Sequence, residues 1–186
     1  MRWQISGLVT WVVLVVLVIS AKADQKFVEE ARKLASTGVP YVYGANDLAQ
    51  GGLDCSGFVQ LAAKNAWGIL LPNEAGLVLE YARSHGKVWD KNSHDWSPKV
   101  IHPGDLVFWT GTHPCSRPSP VTHVMVYMGD YEIAGAQSAG HRLKLGGGGV
   151  GFYPFRMRYP EGDPTVKDDH LYRKAMILYA YARLYP

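Results

Sequence analysis

Residues 53–59 read LDCSGFV, and the run continues as QLAAKNAWG to residue 68. Phe58, Leu61, Ala62 and Asn65 recur at helical spacing, so a helix is expected over Ser56 to Trp67. The stretch before it, GANDLAQGG at 44–52, is a glycine-rich loop. Cys55 therefore sits at a helix start, with Asp54 as a candidate cap and Gly57 as a place where another segment or a substrate can approach closely. Unpaired N–H groups and the helix dipole favour negative charge there, so the position is expected to lower the thiol pKa.

Upstream, Phe27, Val28, Ala31 and Leu34 share one face of an amphipathic opening helix that starts near Asp24 and stops at Gly38. A short helix is expected around Glu74 to Ser84. Beyond Pro98 and Pro103 the pattern changes to strands. DLVFW at 105–109 is one, and VTHVMVYMGD at 121–130 alternates with period two. His123, Met125 and Tyr127 fall on one face of it. Val124, Val126 and Met128 fall on the other and would fill the core, so the imidazole points away from that core. Further strands are expected at Tyr131 to Ala136, Arg142 to Leu145 and Gly149 to Tyr153. Leu171, Ala175, Leu178 and Ala182 form a stripe that predicts a closing helix within Thr165 to Tyr185. Helices followed by strands imply an α+β domain, with the helices on one side of an antiparallel sheet.

At the other end, Met1 to Ala23 combines Arg2, an apolar run from Leu8 to Ile19 and the small-x-small site Ala21-Lys22-Ala23, the order of a secretory signal peptide. Residues 24–186 then form a single domain, secreted or periplasmic. An uncleaved anchor is the alternative, because Ile5 to Ala21 approaches the roughly 17 to 25 residues that span a bilayer; a membrane is a partner only in that case. Without Arg2 and Lys22, Lys+Arg falls from 19 to 17 against 16 Asp+Glu, about +1. Such a balance argues against nucleic acid as a partner.

Cys55 and His123 are the candidates for chemistry. A positioned imidazole can take a thiol proton and later protonate a leaving amine. Taken singly, Cys55 also reads as a small buried hydrophobe and His123 as a core histidine bonded to a carbonyl. Cys115, in a proline-rich loop, reads as an incidental thiol or as the partner of Cys55 in an inactive oxidised form. The seven histidines contain no HExxH pair and there is no GxSxG. Glu29 and Glu30, adjacent on a helix, cannot flank a glycosidic bond. No metal or cofactor is expected. The glycines at 146–149 lack the lysine and helix entry of a phosphate loop and read as a turn.

The segments GVPYVYGA (38–45), LDCSGFV (53–59), LPNEAG (71–76), PGDLVFW (103–109) and THVMVYMGD (122–130), in this order, resemble the NlpC/P60 family of papain-like cell-wall hydrolases. The resemblance implies a papain-like α+β domain. It makes Cys55 the nucleophile and His123 the base. Asp54 and Ser56 match residues that shape the pocket for the substrate's amine, and Tyr41 matches a tyrosine whose hydroxyl, with the Cys55 N–H, would hold an oxyanion. Tyr41 and Tyr43 also read as packing residues. Family members usually carry a third polar residue that orients the imidazole. A gapless count lands on Gly135, a departure; Gln137, two residues on and on the same side of a regular strand, is the candidate in its place. The implied activity is hydrolysis of an amide in peptidoglycan stem peptides, commonly between γ-D-glutamyl and diaminopimelate, by a monomer. A wall-binding domain without catalysis and a secreted toxin against competing bacteria are the alternatives.

Overall fold

In the computed structural model, the structure describes residues 24–112, 115–138, 148–157 and 176–184. The segment read as a signal peptide and the strand expected at Arg142 to Leu145 lie outside them.

Residues 24–35 are helical and form α1; α2 is Cys55–Trp67 and α3 is Ala75–His85. Asp54 caps α2. The strands are β1 (Gly86–Asp90), β2 (Leu106–Thr110), β3 (Val121–Gly129), β4 (Glu132–Gln137), β5 (Gly149–Pro154) and β6 (Ile177–Leu184). They form one sheet in the order β1-β6-β2-β3-β4-β5, and every neighbouring pair is antiparallel.

The helices pack on one face. Phe27, Phe58, Val59, Val78 and Leu79 meet Leu106, Phe108, Val124 and Val126 in a continuous apolar core. Four small strand residues on this face, Ala134, Ala136, Ala180 and Ala182, leave room for helices to sit close to the sheet. Burying Phe58 completely contributes roughly 2–3 kcal/mol. On the other face Trp89, Val107, Trp109, Met125, Ile133 and Tyr181 form a second core, closed by Ile101, Phe155 and Met176 from loops rather than by helices. Within it Trp89 and Tyr181 stack at 4.9 Å between ring centroids. The expected α+β arrangement, with helices on one side, is the one observed.

Two elements differ from expectation. The C-terminal stretch is not a closing helix over its described part: Ile177–Leu184 is strand β6, between β1 and β2. It is buried on both faces, with Ala180, Ala182 and Leu184 in the helix-side core and Leu178 and Tyr181 in the second. Burial on both sides removes the period-two signal, and a register shift opposite Phe108 and Trp109 disturbs it further. The remaining apolar positions then fit a helical stripe as well. Strand β1, which pairs with β6, was not expected.

A buried ion pair ties β6 to the turn before β2. Arg183 donates from Nε and an Nη to the two Asp105 carboxylate oxygens, both at 2.8 Å, and the His102 backbone N–H donates to the same carboxylate at 2.8 Å. Asp105 is 1% exposed, so its charge is held by these donors rather than by water. Replacing it removes both charge-assisted hydrogen bonds from a partly buried guanidinium. Asp105→Ala is expected to lower the unfolding free energy by about 3 kcal/mol, read as a lower urea midpoint with an unchanged denaturant slope.

Candidate active site

Cys55 opens α2, and the start of that helix is fixed by Asp54. The Asp54 carboxylate accepts from the Gly57 N–H at 2.6 Å, the Ser56 hydroxyl at 2.9 Å and the Gly44 N–H at 2.9 Å. Two of these donors belong to the helix and one to the preceding loop. The same loop crosses Gly57 so closely that a Cβ there would lie 2.0 Å from the Ala45 carbonyl oxygen. Only glycine lets the chain pass, which is the close approach expected at this position.

Around this corner the polar groups are linked. Asn73 donates to the Gly44 carbonyl at 2.9 Å, and its side-chain oxygen lies 3.3 Å from the Ser56 hydroxyl. Asn46 donates to Gln60 at 2.8 Å, and Gln60 donates to the Leu71 carbonyl. Asn46, Gln60 and Asn73 were not singled out from the sequence, although Asn73 stands inside LPNEAG. Their signal was no more than polar residues beside motif residues. Tyr41 pairs with Leu53 in a short parallel bridge and packs, half-buried, against the core next to the nucleophile loop. Tyr43, in contrast, is 81% exposed, which removes the packing alternative for it.

His123 is buried on β3, on the face opposite the helices, with its ring 6.0 Å from Trp109. A cysteine–histidine pair needs the imidazole near the start of the cysteine's helix, and strand alternation alone does not provide that. The Cys55 sulfur reaches β3 at a seam between strands. The Tyr127 N–H goes to the Asp105 carbonyl on the β2 side, so by alternation the N–H groups of Val126 and Val124 face β4. Pairing of β3 with β4 runs only to Val126↔Ala134. At the next such position the Val124 N–H is taken by the Cys55 thiol instead. The sulfur is thus set at the opening between β3 and β4, one residue along the strand from His123. Trp109 borders the imidazole from β2, and counting on from Val126↔Ala134 sets Gln137 opposite it on β4.

The thiol environment departs from expectation in sign. Burial pushes the Cys55 pKa up to about 12 and the neighbouring Asp54 carboxylate adds to the rise, against the N–H groups of Val124, Ser56 and Cys55 itself, which favour the thiolate. Helix-start placement is real, but desolvation outweighs it. The resting group is a protonated thiol. Cys115 is likewise a free thiol, hydrogen-bonded to the Ser119 carbonyl at 3.5 Å. It lies beside Arg117, which pairs with Glu74 at the start of α3. Among the described residues no three His, Cys, Asp or Glu side chains cluster as a metal site would require.

The NlpC/P60 family model matches residues 38–148, which hold the loop before α2, α2 itself and strands β3 and β4. The chain belongs to this family. A gamma-DL-glutamyl hydrolase of Bacillus subtilis (strain 168) is 35% identical over 109 residues, covering 59% of this chain. The match spans only 22% of that relative's length. Among solved structures, the NlpC/P60 domain of the peptidoglycan hydrolase SagA superposes with a TM-score of 0.50 at 24% identity, covering 70% of this chain and 88% of that one. RipD of Mycobacterium tuberculosis, described as a non-catalytic NlpC/P60 protein adapted to peptidoglycan binding, superposes at 0.53 with 19% identity over 88% of this chain and 98% of that one. These structural likenesses establish the fold.

The electrostatics of the thiol give a direct expectation. In a Cys115→Ser background, alkylation of Cys55 by iodoacetamide should be slow at neutral pH and still accelerating above pH 10, because the thiolate fraction keeps growing toward a pKa of about 12. Asp54→Asn retains a capping side chain but removes the negative charge, so it should move that profile to lower pH. A rate that levels off near pH 8 in the unsubstituted protein would contradict this account of the thiol.

Proposed function

We propose that this NlpC/P60 chain is an exported cysteine peptidase that hydrolyses an amide in peptidoglycan stem peptides, with Cys55 as nucleophile and His123 as base. The observation carrying the reading is the Cys55 thiol seated on the Val124 N–H, beside His123, at the opening between β3 and β4. A thiol with so high a pKa is a poor nucleophile until its proton is removed. His123 is the base on the adjoining residue. It takes the Sγ proton as sulfur bonds to the substrate's carbonyl carbon, and returns that proton to the amine nitrogen when the C–N bond breaks. Water, activated through the same imidazole, then hydrolyses the thioester and frees Cys55.

The Cys55 N–H already points at the sulfur, and with the Tyr41 hydroxyl it would hold the oxyanion. Asp54 and Ser56 would border the pocket for the substrate's amine. A bond on the carboxyl side of a γ-D-glutamyl residue, next to diaminopimelate, is the proposed target, and the name of the Bacillus relative supports γ-glutamyl chemistry. Export through the first 23 residues would bring the domain to its substrate.

Gly135 favours a second reading, a wall-binding domain without turnover, since no side chain stands where family members usually orient the imidazole. Digestion of purified peptidoglycan followed by mass spectrometry of the muropeptides decides between them. Wild type should release peptides with new amine ends and Cys55→Ala should release none. Binding to the wall with no new ends from wild type, with or without reductant, would establish the second reading instead. If a Cys55 to Cys115 disulfide forms under oxidation, reductant should raise the wild-type rate and leave Cys115→Ser unaffected.

A further inference from the structure

The face of the sheet that carries His123 also carries Met125 and Gln137, and together they account for Gly135. A Cβ at residue 135 would lie 2.7 Å from Met125 Cγ, 3.2 Å from its Cε and 3.3 Å from its Cβ. The Met125 side chain fills the space that a residue at 135 would need. No orienting side chain fits there while Met125 is present.

Gln137 is 1% exposed. Its amide nitrogen contacts the Met125 sulfur at 3.8 Å, a weak acceptor, while Oε1 is buried with no hydrogen-bond partner among the described residues. An orphaned buried carbonyl of this kind costs stability, because its desolvation is not offset by a hydrogen bond. Nothing in the packing requires it, because a leucine or methionine would fill the same volume. Counting on from Val126↔Ala134, the last pair of the ladder, brings Gln137 level with His123. Its contact with Met125 holds the two strands' side chains together there, and Met125 and Ile133 show that this side of both strands faces the same core. Gln137 is therefore the polar side chain of β4 on the imidazole's side of the sheet.

We infer that Gln137 is the positioning residue for His123, with Oε1 accepting the ring N–H turned away from the thiol as the imidazole takes up the Cys55 proton, and with Met125 holding the amide in place. The inference rests on the cysteine–histidine reading above. An acceptor that is unbonded at rest and bonded once the ring is charged stabilises the charged state selectively. Gln137 is not among the groups that contact the Cys55 sulfur, so in this reading it acts only through His123.

The test uses full-length protein with ¹⁵N-labelled histidine, and two readouts. The first is the ¹⁵N titration of the His123 ring, assigned by its loss in His123→Ala. Gln137→Glu places a carboxylate at the imidazole and should raise that titration by about one pH unit or more. The second is turnover of muropeptide stem peptides. Gln137→Met, which keeps the volume, should lower kcat by about 10²- to 10⁴-fold with KM nearly unchanged, and Gln137→Glu should move the acid limb of the kcat/KM profile upward with the ring titration. An unmoved His123 titration in Gln137→Glu, or full kcat in Gln137→Met, overturns the inference. Activity that needs Cys55 but ignores Gln137 leaves the peptidase reading standing and removes only the positioning role. A shifted titration in a protein whose wild type cuts no peptide does the reverse.

Discussion

The carboxylate of Asp54 is the constraint on which the rest of the site depends. One oxygen receives the helix N–H at Gly57 and the hydroxyl of Ser56, while the other receives the loop N–H at Gly44. A single buried side chain thus fixes where α2 begins and where the incoming loop lies against it. Gly57 makes that closeness possible and Asn73 ties the loop from the far side. Cys55 stands between these anchored points, so its Cα and Cβ are held in place, and the Val124 N–H receives the sulfur. The same carboxylate carries a cost, because its charge raises the thiol pKa that the helix start would otherwise lower. Position and reactivity are opposed here, and position wins.

That opposition explains which parts of the molecule were legible in the sequence. Local signals read correctly: the helix beginning at Cys55, the amphipathic helix around Phe27 and the alternation through His123 each follow from a pattern within a dozen residues. Elements whose patterns depend on distant partners did not. Strand β6 is covered on both faces, so its period vanishes, and β1 exists as a strand because β6 lies beside it. The sign of the thiol shift belongs to the same class. A helix start is visible in sequence, whereas the burial that overrides it comes from chain segments far away. Gly135 was visible as a departure, but its cause, Met125 on the neighbouring strand, depends on register and packing.

The sheet's two-sided core sets the helix of Cys55 on one face and His123 on the other. With helices on one side and aromatic residues on the other, a side chain on β3 can cross only where neighbouring strands separate. β3 and β4 separate past Val126 and Ala134, and the backbone N–H freed at Val124 is satisfied by sulfur. Had pairing continued, that donor would have gone to a β4 carbonyl and the thiol would have no place on the strand. The opening is therefore not a defect in the sheet; it is where the hydrogen bond of one more strand pair has been exchanged for a reactive group.

The consequence for chemistry concerns the order of proton and bond. In the proposed reaction, a thiol held protonated by burial gives its proton to the imidazole as the substrate's carbonyl arrives. Charge then appears on His123 only during the reaction, inside a region from which Trp109 and the aromatic core exclude water. In such surroundings a fixed dipole beside the ring is worth far more than it would be in solvent. For the proposed dyad, orientation of the imidazole is thus the quantity that separates turnover from inertness on this fold, and the proposal places it on β4, across the sheet from the helix of Cys55.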